Sequence, residues 1–316
     1  MSRWLLPALL CLAFAASLSL PLESLFAIDR GLAVSVLIEL RLPRALLALA
    51  YGATLGASGA AIQALFANPL ASPDLTGTTS GAALGAVVTA YLFGFAAPVA
   101  LSLGAVAGAL AALALLLALA GPKAETATLL LAGLAISALA GALTTLALAL
   151  APSPFAFYDA YDWLMGSLID RSLDQAAFAA LPGGLTILLL LRHAPALDRL
   201  ALGEEVAQSL GDDVVRLRAE IVCLTAFGVG ACVAICGAIG FVGLVAPIFA
   251  RRLSRGHPGR AILPAAMIGA LLLSLADLAV RLAPLGRTLP IGVVTALLGA
   301  PFFLWLAAHM RWRLGT

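Results

Sequence analysis

Long apolar runs separated by short polar breaks dominate this chain of 316 residues. A hydrocarbon core of about 30 Å needs roughly 20 apolar residues per helix, and by that rule the breaks divide the chain into about ten spans. The walls of a membrane β-barrel alternate apolar and polar residues, whereas these runs are apolar throughout, so helices are predicted. The expected spans are residues 4–27, 44–66, 77–94, 97–120, 126–150, 174–191, 219–237, 239–254, 261–282 and 290–308.

Composition supports placing the chain in a membrane. Hydrophobic residues make up 63% of the sequence and charged residues 11%, whereas a soluble domain carries roughly a quarter charged residues. We therefore expect an all-α polytopic membrane protein in which residues 1–316 form a single transmembrane domain. The first span also has features of a signal peptide, because Arg3 precedes it and small residues follow at Ala13 to Ala16. Its apolar run is longer than a typical signal core, so a retained helix is expected.

The distribution of basic residues predicts the orientation, since cytoplasmic segments of membrane proteins are enriched in Lys and Arg. With ten spans and a cytoplasmic N-terminus, 12 of the 18 basic residues fall on the cytoplasmic side and six on the other side. Both termini are therefore expected in the cytoplasm. The net charge of +2, without a dense basic run, gives no indication of nucleic acid binding. The six on the outer side are Arg30, Arg41, Arg44, Arg171, Arg281 and Arg287.

Two groups of motifs carry a resemblance to a known family. The first is Arg41-Leu42-Pro43-Arg44, a Gly/Ala-rich helix, and Asn68-Pro69-Leu70-Ala71-Ser72-Pro73. The second is Gly-Phe-Val-Gly-Leu-Val-Ala-Pro at 240–247, followed by the segments 289–295 and 299–303. In this order they resemble the permease subunits of bacterial ABC importers for iron chelates, haem and vitamin B12, the FecCD-like type II importers. The resemblance extends from about Leu40 to Leu306.

The resemblance implies an inner-membrane permease with ten helices that works by alternating access, as a homodimer or half of a heterodimer. It also implies a separate ABC ATPase subunit and a periplasmic solute-binding protein as partners. The sequence agrees that hydrolysis lies elsewhere, because a phosphate-binding loop needs Gly-Lys-Ser/Thr and the only lysine, Lys123, lies between Pro122 and Ala124. An iron–siderophore or related metal chelate is the expected substrate, with haem and cobalamin as alternatives.

The longest polar interruption inside the chain is residues 192–220. Within it, Leu202, Val206, Ser209 and Leu210 fall on one helical face, and Gly residues stand near both ends of that stretch. A solvated amphipathic connector is one interpretation. The resemblance implies instead a short coupling helix that docks on the ATPase. The residues expected in this role are Leu202, Gly203, Glu204, Glu205, Ala207, Ser209, Leu210 and Gly211.

Three arginines are predicted at outer helix ends, namely Arg41, Arg44 and Arg281. They are either interfacial anchors that snorkel to the headgroups or, for Arg281, a partner of Asp277 four residues earlier on the same helical face. The resemblance implies that all three meet acidic residues on the two lobes of the binding protein.

Polar groups within the apolar spans are candidates for the substrate pathway. Most such groups bond to their own or a neighbouring helix, as Gln63 is also placed to do. The resemblance puts the fifth and tenth spans beside the central cavity, and a Trp followed by Gly-Ser-Leu at its outer mouth. An interfacial aromatic belt is the alternative for that Trp. The expected pathway residues are Ser137, Thr144, Thr145, Trp163, Gly166, Ser167 and Thr295.

No cofactor or metal site is expected. Cys232 and Cys236 share a helical face, but no His lies near them in sequence, so they are interpreted as small buried hydrophobes. Asp277 is an acidic residue well inside a span, which is the one feature in favour of an ion-coupled secondary transporter. That class remains the alternative function. An intramembrane protease would need a catalytic dyad or a zinc-binding helix, and neither motif occurs.

Overall fold

The computed structural model describes residues 4–21, 30–91, 93–94, 98–121, 126–283 and 289–314. Within these ranges the chain is helical and contains no strand. The helices are α1 Leu5–Ser19, α2 Arg30–Ser35, α3 Leu42–Leu65, α4 Thr78–Tyr91, α5 Pro98–Ala120, α6 Thr126–Ala149, α7 Pro154–Leu164, α8 Leu173–Arg192, α9 Ala194–Leu200, α10 Glu204–Ser209, α11 Val214–Cys236, α12 Val242–Leu253, α13 Ile262–Leu282 and α14 Ile291–Leu314.

The prediction of an all-α polytopic bundle is confirmed. The ten predicted spans correspond to α1, α3, α4, α5, α6, α8, α11, α12, α13 and α14, while the short helices α2, α7, α9 and α10 lie in the connections. Among the described residues, five helices are long and apolar enough to cross a membrane by length and composition. These are Val99–Leu119, Thr128–Ala149, Leu173–Arg192, Val214–Cys236 and Gly259–Leu282.

Helix α3 is the centre of the bundle, although it is not among these five helices. Of its 24 residues, 18 are buried, and many of them are Gly, Ala, Ser or Thr. A helix that faces protein on nearly every side needs close packing more than a lipid-like surface. A methyl group added at Gly52 or Gly56 would overlap the backbone of α13 at Gly269 or Ala265. Gly52 and Gly56 therefore bring the backbone of α3 into direct contact with that of α13.

Two helices are shorter than the sequence pattern predicted. Helix α4 has 14 residues and α12 has 12, which correspond to about 21 Å and about 18 Å at 1.5 Å per residue. The hydrocarbon core is about 30 Å thick. The expected spans 77–94 and 239–254 are each too long by four residues. Helix α4 ends at Tyr91 instead of 94, and α12 begins at Val242 instead of 239, after Gly237 and Gly240.

The backbone segments before these short helices meet inside the bundle, and we call residues 66–77 and 237–241 together the junction. A methyl group added at Gly243 would lie 3.0 Å from Cδ of Pro73. A methyl group added at Gly240 would lie 3.8 Å from a carboxylate oxygen of Asp74. Irregular backbone at membrane depth is tolerated where protein surrounds it. Helix α4 is the third span and α12 is the eighth, five spans later. The two short helices therefore occupy matching positions in the two halves of the chain, which fits two inverted repeats.

Side-chain contacts define the two ends of the bundle. Arg44 contacts Asp277, and Arg281 contacts the last turn of α1, so these groups share one end, which we call the arginine end. At the opposite end, which we call the connector end, Asp198 accepts a hydrogen bond from the backbone N–H of Gly259 and His193 lies 3.5 Å from Glu220. The sequence predicted this separation of the three arginines from the polar connector.

Candidate functional site

The first two arginines lie where the chain enters α3. A wide π-turn, Val36–Arg41, joins α2 to α3 without a break in the helical path, and Pro43 follows in the first turn of α3. Single π-turns of this kind often occur at functional positions. Arg41 and Arg44 are three residues apart and therefore lie on neighbouring positions of one helical face.

Asp277 of α13 is the centre of the cluster at the arginine end. Its Oδ1 accepts a hydrogen bond from Nε of Arg44 at 2.7 Å, and its Oδ2 lies 3.6 Å from Nε of Arg281. The side chain of Asp277 is 1% exposed, and those of Arg44 and Arg281 are 15% and 10% exposed. The predicted pairing of Arg281 with Asp277 is confirmed, and Arg44 forms the shorter contact to the same carboxylate.

Helix α1 ends against the same arginines. Arg41 donates to the carbonyl oxygens of Leu18 at 2.8 Å and Pro21 at 3.2 Å. Arg281 donates to those of Ser17 at 2.7 Å and Leu20 at 3.2 Å. The last carbonyls of a helix have no partner within the helix and carry partial negative charge, so cationic side chains stabilise them. These arginines therefore fix the end of α1 to α3 and α13.

The arginine cluster consists of Arg41, Arg44, Arg281 and Asp277. Its carboxylate contacts two of the three guanidinium groups, and Arg41 donates to carbonyls of the α1 end. Nε and Nη2 of Arg281 and Oδ2 of Asp277 are buried without a hydrogen bond among the described residues. Unsatisfied buried polar groups call for an explanation, and guanidinium donors of this kind suit a carboxylate ligand. Docking of the binding protein on these arginines stays a prediction.

At the connector end, two short helices, α9 and α10, connect α8 to α11, and two glycines bound the second of them. Gly203 has a φ of 117° and Gly211 a φ of 91°, values that residues with a Cβ adopt only at a steric cost. They bound α10, so a compact turn forms there instead of a continuation of α9 or α11. Buried Leu197 and Ala207 attach α9 and α10 to the bundle.

Ion pairs hold the connector in shape. Arg199 donates from Nε and Nη2 to the two carboxylate oxygens of Asp212, both at 2.6 Å, and this pairing lowers the pKa of Asp212. Asp213 accepts a hydrogen bond from the N–H of Arg216 at 3.0 Å and so caps α11. Arg218 donates to Glu204 at 2.7 Å. The two consecutive acids at 212 and 213 thus each have a structural partner.

The exposed face of the connector is apolar at three positions. Leu202 is 68% exposed, Val206 41% and Leu210 58%. They lie four residues apart in sequence, as the sequence pattern predicted for a shared face. Exposed apolar side chains surrounded by polar residues mark a surface that contacts another protein. The coupling role of the connector itself remains a prediction.

The segment expected at the pathway mouth packs tightly against the junction. The N–H of Ser167 donates to the carbonyl of Cys236 at 2.7 Å, and the carbonyl of Gly166 accepts from the N–H of Ile291 at 3.0 Å. Trp163 and Ser167 line a cleft of about 600 Å³ at the arginine end, together with Tyr91. The structure therefore places Trp163, Gly166 and Ser167 beside the first turn of α14.

The remaining pathway candidates are dispersed. Ser137 donates to the backbone oxygen of Asp74 at 3.1 Å and so joins α6 to the junction. Thr144 and Thr145 donate to carbonyls one turn back in α6, at 2.8 Å and 2.9 Å. Thr295 donates to Gly292 in its own helix at 3.0 Å and lines a small cavity of about 180 Å³. All four hydroxyl groups therefore form hydrogen bonds within their own helix or to a neighbouring segment, as expected for polar groups in apolar spans.

Three residues that sequence reasoning missed or left undecided lie in the junction or bond to it or to the first turn of α12. The Tyr51 hydroxyl donates to the carbonyl of Gly237 at 3.1 Å and accepts from the N–H of Ile239 at 3.3 Å. Gln63 donates to the carbonyl of Leu244 at 3.1 Å. Asp74 accepts a hydrogen bond from Thr79 at 2.7 Å. The sequence signal that points to them is the pair of Pro- and Gly-rich breaks, which expose backbone groups needing partners at membrane depth.

The chemistry of a metal site is not assembled in the described part of the chain, where no group of three or more His, Cys, Asp or Glu side chains comes together. Cys232 and Cys236 are fully buried, as the sequence predicted, whereas Cys11 and Cys223 are exposed.

A helical membrane bundle with irregular backbone at its centre is an architecture found in polytopic transport permeases. A model of the FecCD transport family matches residues 4–309, and the chain therefore belongs to the FecCD transport family. It is accordingly a multi-pass membrane permease subunit of an ABC importer and not an enzyme.

Curated relatives and a solved structure agree with this family. The chain is 41% identical to the vitamin B12 import system permease protein BtuC of Vibrio cholerae, over 85% of this chain and 81% of that protein. It is 37% identical to the Fe(3+)-citrate import system permease protein YfmE of Bacillus subtilis, over 85% and 80%. A solved structure described as an inward-facing conformation of a metal-chelate type ABC transporter matches with a TM-score of 0.86 and 33% identity, over 96% and 97%.

Proposed function

We propose that this permease carries an iron–siderophore or related metal chelate across the bacterial inner membrane by alternating access. One observation carries the proposal: a single bundle holds a cationic cluster at one end and an exposed apolar turn at the other. A cationic rim suits an acidic protein partner, and an exposed apolar turn suits a second, separate partner. An ion-coupled secondary transporter would need neither surface.

Cobalamin is the second candidate substrate, and haem is a third. Relatives that import vitamin B12 and ferric citrate stand at 41% and 37% identity, a difference too small to separate the two substrates. Both are bulky metal complexes, so either requires a wide pathway between two permease copies. The pathway candidates Trp163 and Ser167 line a cleft that is within the usual range of ligand pockets.

The junction is the element around which the helices would rearrange. Irregular backbone surrounded by protein is common where transporters switch between states. Side chains from two different helices bond to it, namely Tyr51 of α3 and Ser137 of α6, and Gln63 of α3 bonds to the carbonyl of Leu244 just beyond it. Such bonds allow rigid helices to move as groups without unfolding, which is the usual form of alternating access. Ligand and nucleotide shift this equilibrium by binding the two states with different affinity.

The orientation follows from the proposed partners. The connector end and both termini would be cytoplasmic, where an ABC ATPase docks on Leu202, Val206 and Leu210. The arginine end would face the periplasm. A second permease copy, identical or homologous, completes the pathway, and α6 offers an exposed apolar face for that copy or for lipid, including Leu131 and Leu134.

A solute-binding protein would dock on the arginine cluster by replacing the acceptors of its arginines: carboxylates of the partner would take the place of backbone carbonyls. In the undocked chain, Arg41 and Arg281 donate to neutral carbonyls of α1. A carboxylate is a stronger acceptor for guanidinium than a neutral carbonyl, and it binds in a bidentate manner. Acidic residues on the partner would therefore displace the last turn of α1, whose carbonyls would gain water at the membrane surface.

The experiment is surface plasmon resonance with the permease in nanodiscs and the solute-binding protein of the same transporter, loaded with ferric citrate or with cobalamin. Arg41→Gln and Arg44→Gln are expected to slow association at least about threefold at low salt, and less at moderate salt. Arg171→Gln is the charge-matched control, because Arg171 lies at the same end outside the cluster. Equal on-rates for cluster and control variants would contradict docking on these arginines, and equal responses to both loaded forms would contradict a single substrate class.

A further inference from the structure

An apolar groove of about 790 Å³ runs along the side of the bundle between α1 and α8, with α3 and α13 as its floor. The floor contains Leu46, Leu49, Ala50 and Ala53, which are half-buried, while the positions between them on α3 are buried. This stripe is the part of the central helix that the other helices leave uncovered. Because the chain spans a membrane, the groove opens toward the bilayer.

The groove has the length of a lipid chain. Its lining on α8 extends from Leu173 to Ile187, which is about 20 Å at 1.5 Å per residue. One leaflet of the hydrocarbon core is about 15 Å deep. The groove is therefore long enough to hold an acyl chain along its whole length.

Among the described residues, one ionisable group lines the groove, and it lies at one end. Asp174 is exposed in the first turn of α8, at the arginine end, while the rest of the lining is apolar. A carboxylate at headgroup depth favours a cationic donor and repels an anionic headgroup. A primary ammonium donates hydrogen bonds to a carboxylate, whereas a quaternary ammonium has no N–H to donate.

We propose that this groove binds an aminophospholipid, with an acyl chain against the Ala-rich floor and the headgroup ammonium on Asp174. The ligand class is phosphatidylethanolamine. This site is separate from the arginine cluster and the connector, and it does not depend on the transported substrate. Asp174 also lies at the positive end of the α8 dipole, where a carboxylate stabilises the helix. Headgroup selectivity distinguishes the two roles, because helix stabilisation does not depend on which lipid is present.

The test is native mass spectrometry of the full chain, delipidated in detergent and titrated with lipids of identical acyl chains. Phosphatidylethanolamine is expected to bind about threefold to fivefold more tightly than phosphatidylcholine, and phosphatidylglycerol more weakly than either. Asp174→Asn should abolish this preference. Asp170→Asn is the matched control, because Asp170 is an exposed acid at the same end that lines the other cleft, and its φ of 55° suits Asn.

Ala177→Leu narrows the groove at an exposed position and should weaken binding of phosphatidylethanolamine and phosphatidylcholine alike. Its circular dichroism and melting temperature verify that the variant is folded. Equal affinities for the three lipids in the parent chain would show an annular lipid only and would overturn the proposal. So would a preference that survives Asp174→Asn, or unchanged lipid binding in folded Ala177→Leu.

Discussion

At the scale of single residues, glycines hold the core together, because the absence of a side chain lets two backbones come into direct contact. Gly56 lies against the carbonyl of Ala265, and Gly59 against that of Gly243. Each glycine brings two backbones closer than any side chain would permit, and dispersion contacts at this distance replace the hydrophobic effect that lipid does not provide. The helix that packs against each glycine therefore decides whether a larger residue is tolerated there.

Gly56→Ala should lower the melting temperature of the purified permease by several degrees, since overpacking typically costs about 1–3 kcal/mol. The control is Gly141→Ala, because a methyl group at Gly141 would contact nothing within 4 Å. That variant should be neutral or slightly stabilising, since alanine has the higher helix propensity. Equal melting temperatures for both variants in a fluorescence-based thermal assay would show that the contact between α3 and α13 is not close-packed.

Residue-level inference from the sequence succeeds where the contact is local. The pairing of Asp277 with Arg281 follows from their spacing of four on one helix. The shorter contact from Arg44 to Asp277 joins positions 233 apart in the chain, and no spacing rule predicts it. Asp74 was not predicted for a related reason. It lies outside every apolar run, and its contacts form inside the protein only because the segment 66–77 folds back into the bundle.

At the scale of elements, the connector is the best example of a structure encoded by local chemistry. Two glycines with positive φ bound α10, and Asp213 caps α11. The two glycines are visible in the sequence, and the connector was predicted between them with Leu202, Val206, Ser209 and Leu210 on one face; the cap by Asp213 was not predicted. The shortness of α4 and α12 was not predicted, since hydropathy measures apolar length and not where a helix starts.

Leu210→Glu should weaken binding of the partner ATPase by tenfold or more, because a buried apolar anchor at an interface contributes about 2 kcal/mol or more. Ala201→Glu is the control, since it introduces the same charge at an exposed position of the same connector. Both variants should reach the membrane at parental levels. Copurification of the ATPase and its ligand-stimulated hydrolysis are the readouts. Parental coupling in Leu210→Glu would exclude this face as the docking surface.

At the scale of the whole molecule, the helical membrane bundle was predictable because apolar runs and the distribution of arginines are long-range signals of the sequence itself. The arrangement of helices around α3 was not, because Gly, Ala, Ser and Thr provide close contacts without specifying the partner helix. The two polar ends are separated by the bundle, so a signal between them must pass through the helices. Helices α3 and α13 are suited to this, since they contact each other at Gly56 and again at Arg44 and Asp277.

The most direct test of an ATP-driven permease is uptake into proteoliposomes that contain this chain and its ATPase, with the solute-binding protein supplied on the arginine-end side. Radiolabelled ferric citrate and cobalamin are the probes. Accumulation of one of them should require ATP on the connector side and should fall to background when the ATPase is omitted. An ion gradient alone should not drive it. Accumulation driven by a proton or sodium gradient without the ATPase would contradict the account and identify a secondary transporter.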